Sequence, residues 1–117
     1  MQFVVNVTVE FETWFYEQDE ALQDDIDIAV HLLEAKGPML GRPYVDTLRG
    51  SRFSNMKELR VQSKGRPFRI AFAFGPNREA ILLIGGSKEG TDERRFYRKL
   101  IAQADALFER YLANLRG

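Results

Sequence analysis

Arginine and lysine crowd into one part of the chain. Between residues 49 and 69 stand Arg49, Arg52, Lys57, Arg60, Lys64, Arg66 and Arg69 against a single acid, Glu58, a local charge of +6. Guanidinium groups are planar forks of N–H donors that match phosphate oxygens in pairs, so a phosphate ester is their natural counterpart. If the segments flanking the turn signal Lys64-Gly65-Arg66-Pro67 are strands, alternation puts Arg60 and Arg69 on the face opposite Leu59, Val61 and Ile70, above the small residues Ala71 and Ala73. Two forked donors over an open, small-residue floor would suit a phosphodiester. The same residues also describe a solvated sheet face with incidental pairs, Glu58 with Arg60 among them.

A second basic group follows. Lys88 precedes Arg94, Arg95, Tyr97, Arg98 and Lys99, and Tyr97 could either carry a proton or simply pack its ring against the sheet. Gly85-Gly86-Ser87-Lys88 lacks the glycine spacing and the lysine–hydroxyl pair of a phosphate loop. The chain has no cysteine and one histidine, so disulfides, thiolate metal sites and a cysteine nucleophile are excluded. His31 sits alone on an acidic segment and reads as a surface residue. Asp24, Asp25 and Asp27 follow helical periodicity rather than metal-loop spacing, and Ser51, Ser54 and Ser63 have no histidine partner for a triad. Any chemistry here must run on Arg, Lys, Tyr and carboxylates, with neither metal nor cofactor.

Those side chains need a scaffold, and 117 residues, 44% of them apolar and 29% charged, are enough for one globular domain spanning 1–117. Charge is segregated: residues 1–48 carry a net −8 and residues 49–117 a net +8, which points to an anionic partner for the second half. The longest apolar run, Ala80 to Ile84, is too short to cross a bilayer, so a cytoplasmic protein with no membrane partner is expected. Alternating Phe3, Val5, Val7 and Val9 predict a first strand ending near Glu10. Thr13 is a candidate cap for a helical pair from about residue 13 to 36, stopped by Gly37-Pro38. Residues 37–55 read as surface turns. Met56–Gln62, Phe68–Phe74 and Glu79–Ser87, separated by turn signals, read as an antiparallel meander whose last strand is apolar on both faces. Thr91 and Asp92 are candidate caps of a terminal helix with an apolar stripe through Phe96, Leu100, Ala104, Phe108 and Tyr111. The expected class is α+β, in the order β-α-α-β-β-β-α.

The elements L-R-G, K-E-L-R, F-R-I-A-F and A-I-L-L-I between Leu48 and Ile84, followed by a lysine and an Arg- and Tyr-rich helix, resemble the RelE-like toxins. Within them the chain looks most similar to the phage Gp49-like branch that contains HigB. The resemblance implies a RelE-like fold, a twisted antiparallel sheet packed against an N-terminal helical pair and a C-terminal helix. It also implies the toxin of a type II toxin–antitoxin system, an endoribonuclease that cleaves mRNA on the ribosome without a metal. The 2′-hydroxyl attacks its phosphate to give a 2′,3′-cyclic phosphate, and translation stops. Its expected partners are mRNA on the ribosome and a cognate antitoxin of helix-turn-helix type, with operator DNA met only through the antitoxin. Carried onto this chain, the catalytic set is Arg60, Arg69, Lys88 and Tyr97, with Lys57 beside them; Arg66 and Arg95, from the two basic groups, are further candidate RNA or phosphate contacts. Glu58 stands where RelE has a lysine, and Gly86-Ser87 replaces the aromatic that usually precedes the last basic residue of the branch. The alternatives are a ParE-like protein that inhibits DNA gyrase without chemistry, or an inactive relative acting through its antitoxin.

Overall fold

The computed structural model describes residues 2–90 and 92–117. Strand β1 (Val4–Val7) is followed by helices α1 (Val9–Tyr16) and α2 (Glu20–Lys36), then strands β2 (Val45–Thr47), β3 (Met56–Ser63), β4 (Arg66–Phe74) and β5 (Glu79–Ser87), and helix α3 (Glu93–Arg116). The strands form one sheet in the order β1-β5-β4-β3-β2, an α+β fold as expected. The β3–β4 turn is the two residues Lys64 and Gly65, with φ of 52° and 74°, the left-handed pair that a tight hairpin between twisted strands requires.

Helices cover both faces of the sheet. Leu59, Val61, Phe68, Ile70, Phe72, Ala80 and Leu82 point to one face and pack against Phe11, Leu22, Ile26 and Leu33 of α1 and α2. Met56, Ala71, Ala73, Ile81 and Leu83 point to the other and meet Leu100, Ala104 and Phe108 of α3. This explains why β5 is apolar at both parities. It also removes the open floor expected beneath Arg69: Ala71 and Ala73 are fully buried, because their small side chains seat α3 against the sheet.

Three details differ from the sequence expectation. The first strand stops at Val7, because Thr8 caps α1: its hydroxyl accepts from the Phe11 N–H at 2.9 Å and donates to the Leu83 carbonyl at 2.7 Å. Val9, which continued the alternation, is therefore an exposed helical residue, and Thr13 lies inside α1 rather than at its start. Second, β1 runs parallel to β5, Val4 opposite Glu79 through Val7 opposite Leu82, so the sheet is antiparallel except at this edge. No hairpin joins the two strands, and the α1–α2 excursion leaves the direction of β1 free. Third, residues 45–47 add a short strand, β2, antiparallel to β3. Asp19 caps α2 and Asp92 caps α3; Thr91, the other candidate cap, lies outside the described residues.

Candidate functional site

Arg60 on β3 and Arg69 on β4 are cross-strand partners, so their side chains leave the sheet side by side on the α3 face. Two guanidinium groups at such spacing repel unless something anionic sits between them. Glu58 supplies it. Two residues before Arg60 and on the same face, its carboxylate is buried at 3% exposure. One oxygen accepts from Arg60 Nε at 3.2 Å and Nη2 at 3.1 Å. The other accepts from the Tyr97 hydroxyl at 2.7 Å and lies 3.5 Å from Arg69 Nε.

Tyr97 comes from the first turns of α3 and closes the network. Its hydroxyl donates to Glu58 and accepts from Arg69 Nε at 3.3 Å. Burial, then the hydrogen bond to an anion, pushes the phenol up to about 12, since both penalise a second negative charge. Lys88, just past β5, is anchored by its backbone N–H on the Pro67 carbonyl. Its ammonium lies 5.5 Å from the centre of the Tyr97 ring and 2.7 Å from Glu93. That ammonium holds the Glu93 carboxyl below its ordinary value, with a smaller contribution from Arg69. On the far side Asp46, opposite Glu58 on β2, lies 3.3 Å from Arg60 Nη2. The Thr47 backbone N–H, then Arg42 and the charge of Arg60, hold its carboxyl low.

An open groove of about 360 Å³ runs between these groups, lined by Asp46, Arg49, Glu58, Arg60, Lys88 and Tyr97. Arg69, at 11% side-chain exposure, reaches it through its contacts with Glu58 and Tyr97, both of which line it. Arg60, Arg69 and Lys88 each lie against a carboxylate. An incoming phosphate would compete with Glu58, Asp46 and Glu93 for the same donors, and what it displaces includes a carboxylate able to accept a proton.

The structure brings Arg60, Arg69, Lys88 and Tyr97 together and leaves the other expected contacts elsewhere. Lys57 has the parity of Leu59, points to the α2 face and donates to Thr47 Oγ1 at 3.1 Å. Arg66 stacks over Phe68 and pairs with Asp19 at the start of α2. Arg95 lines a separate cleft beside the end of β5. His31 is exposed, its ring nitrogen 2.8 Å from the Asp27 carbonyl. Sequence reasoning overlooked Asp46, hidden in a segment read as turns, and Glu93; the only local signal for Glu93 is its position in the first helical turn after Lys88.

Residues 13–109 match the family described as phage derived protein Gp49-like. A Mycobacterium tuberculosis protein that bears the toxin name HigB3 is 45% identical over 106 residues, 91% of this chain and 90% of the relative. A second from that organism, bearing the name HigB2, is 46% identical over 101 residues, 86% of this chain and 50% of the relative. Among solved structures, an E. coli toxin RelE variant with two arginine-to-alanine substitutions, in its free state, superposes with a TM-score of 0.61. It does so at 8% identity, over 87% of this chain and 96% of that one, a likeness of fold alone.

Proposed function

From the premise that the chain belongs to the Gp49-like family, we propose that it is the toxin of a toxin–antitoxin pair and an endoribonuclease cutting mRNA on the ribosome. One observation carries this: Arg60, Arg69 and the Tyr97 hydroxyl meet around the single buried carboxylate of Glu58, with the Lys88 ammonium 5.5 Å from the Tyr97 ring. Toxin names among relatives about 45% identical support the first half.

In the proposed reaction a phosphodiester takes the place of the carboxylates as partner of Arg60, Arg69 and Lys88. Charge gathers on the non-bridging oxygens as the phosphorane-like transition state forms, and each preorganised cation lowers the barrier by about 2–4 kcal/mol. Glu58, released from the guanidinium groups, takes the proton of the 2′-hydroxyl as its oxygen attacks phosphorus. The bond to the 5′-oxygen breaks, leaving a 2′,3′-cyclic phosphate and a 5′-hydroxyl. A phenol that titrates at about 12 is ionised to about one part in a hundred thousand at pH 7. Tyr97 is therefore the acid rather than the base. It gives its proton to the leaving 5′-oxygen and regains one from Glu58 along the 2.7 Å hydrogen bond. The ribosome orders the RNA in the groove, which accounts for a site with few substrate-shaping walls of its own. The antitoxin, of helix-turn-helix type, silences the protein in the cytoplasm and carries it to operator DNA.

Purified protein added to programmed ribosomes tests this. Cleavage that requires ribosomes, proceeds in EDTA and is lost in Arg69→Gln supports it. Intact mRNA together with inhibited DNA gyrase favours the ParE-like alternative.

A further inference from the structure

β5 outruns its neighbour. β1 pairs with it only as far as Leu82, and the Thr8 hydroxyl takes the Leu83 carbonyl. From Ile84 to Ser87 the strand edge facing away from β4 therefore has no strand partner among the described residues. That edge opens into a cleft of about 460 Å³ whose lining includes Ser87 and Phe96, the chain neighbours of Lys88 and Tyr97. Two glycines shape it. A Cβ on Gly85 would lie 2.4 Å from the Trp14 ring, and one on Gly86 would lie 3.2 Å from Phe96. Their absence lets one indole and one phenyl ring approach the strand from its two faces.

The rim is basic and free. Arg95 and Lys99 are exposed, one helical turn apart on α3, and neither has an ion pair among the described residues. Arg60, Arg69 and Lys88 are each held by a carboxylate, whereas no carboxylate lines this cleft. Aromatic faces, unpaired main-chain donors and acceptors, and two unneutralised cations are the separate requirements of a base's face, its edge and its phosphate. A docked peptide strand would use the edge but has no need of the cations, and four residues offer it a short ladder.

We propose that this cleft binds a single-stranded nucleotide of the substrate adjacent to the scissile one. Its base stacks on Trp14, and its phosphate is held by Arg95 and Lys99; this rests on RNA being the substrate. The Phe96 and Tyr97 ring centres are 5.2 Å apart, so a chain leaving the catalytic groove past Tyr97 enters the cleft at the next residue.

Trp14 is the only tryptophan and reports directly. The probe is a 2′-O-methyl RNA tetranucleotide, which cannot undergo 2′-hydroxyl attack, with inorganic phosphate, ribose 5-phosphate and a Thr-Val repeat peptide as comparisons. The tetranucleotide is expected to change Trp14 emission saturably while both phosphates leave it unchanged, and the double variant Arg95→Ser, Lys99→Ser to bind about tenfold or more weakly. No saturable change, equal binding by the double variant, or a response to the peptide alone overturns the assignment. The outcome is separable from that of the nuclease proposal. Ribosome-dependent cleavage without an emission change sinks only the cleft, whereas an emission change without cleavage sinks the nuclease and leaves the cleft as an RNA-binding site that is no substrate subsite.

Discussion

Removing one oxygen atom, in Tyr97→Phe, separates what the phenol holds up from what it does. The hydroxyl donates at 2.7 Å to a carboxylate that is 3% exposed, and a hydrogen bond to a charged group contributes about 1.5–3 kcal/mol. Part of that is offset because the half-buried hydroxyl no longer has to be desolvated. The ring keeps its edge contact with Phe96 at 5.2 Å and the Lys88 ammonium at 5.5 Å. The expected net loss is about 1–2 kcal/mol, a fall in Tm of about 3–10 °C for a domain of this size. The protein remains folded at 25 °C. If the phenol is the acid, cleavage falls further than stability explains, by about a hundredfold or more. Melting curves give the first quantity, and initial rates of mRNA cleavage on programmed ribosomes give the second. The phenol titrates at about 12, so the wild-type rate loses nothing to its ionisation between pH 7 and pH 10. A Tyr97→Phe protein that cuts at the wild-type rate would refute the assignment.

Phe72 is fully buried and stacks edge-on against Phe74 at 5.4 Å, so Phe72→Ala should cost about 3–5 kcal/mol, measurable by denaturant titration. Arg110 clamps Glu10 with two hydrogen bonds and holds its carboxyl near 2, against 4.5 unperturbed. A depressed carboxyl stabilises above its unfolded value and loses that contribution as pH falls from 4.5 toward 2. Glu10→Gln should therefore melt below the wild type at neutral pH, with the gap closing across that window; a gap that widens on acidification contradicts the pairing. Binding of RNA or ribosomes should weaken steeply with salt. Arg60→Gln, Arg69→Gln together should reduce the log–log slope by about 1.4, two phosphate contacts on a single strand. Equal slopes would mean these arginines do not face the nucleic acid.

The local features were legible. The turn signal at Lys64-Gly65-Arg66-Pro67, although β4 already starts at Arg66, the alternation of Phe68, Ile70 and Phe72, and the two-faced apolarity of β5 are short-range patterns, and parity alone put Arg60 and Arg69 on one face. What escaped depends on contacts distant in sequence. The parallel pairing of β1 with β5 has no local signature, and Val9 imitates a strand residue because β-branched side chains also start helices. Ala71 and Ala73 show the deeper ambiguity: small residues in a strand can floor an open site or seat a helix, and only Leu100, Ala104 and Phe108 decide between them. Parity also separated Lys57 from Arg60, a distinction that proximity in a basic stretch obscured. Asp46 was overlooked because a three-residue strand is too short to show a period.

The central claim is tested most directly by the chemistry of cut ends. After induced expression, mRNA fragments are mapped at their 5′ ends and typed at both termini. The account predicts cuts at fixed positions within codons, 5′-hydroxyl and 2′,3′-cyclic phosphate termini, and loss of both in Arg69→Gln. Uncut mRNA, or cuts that leave 5′-phosphates, would contradict it.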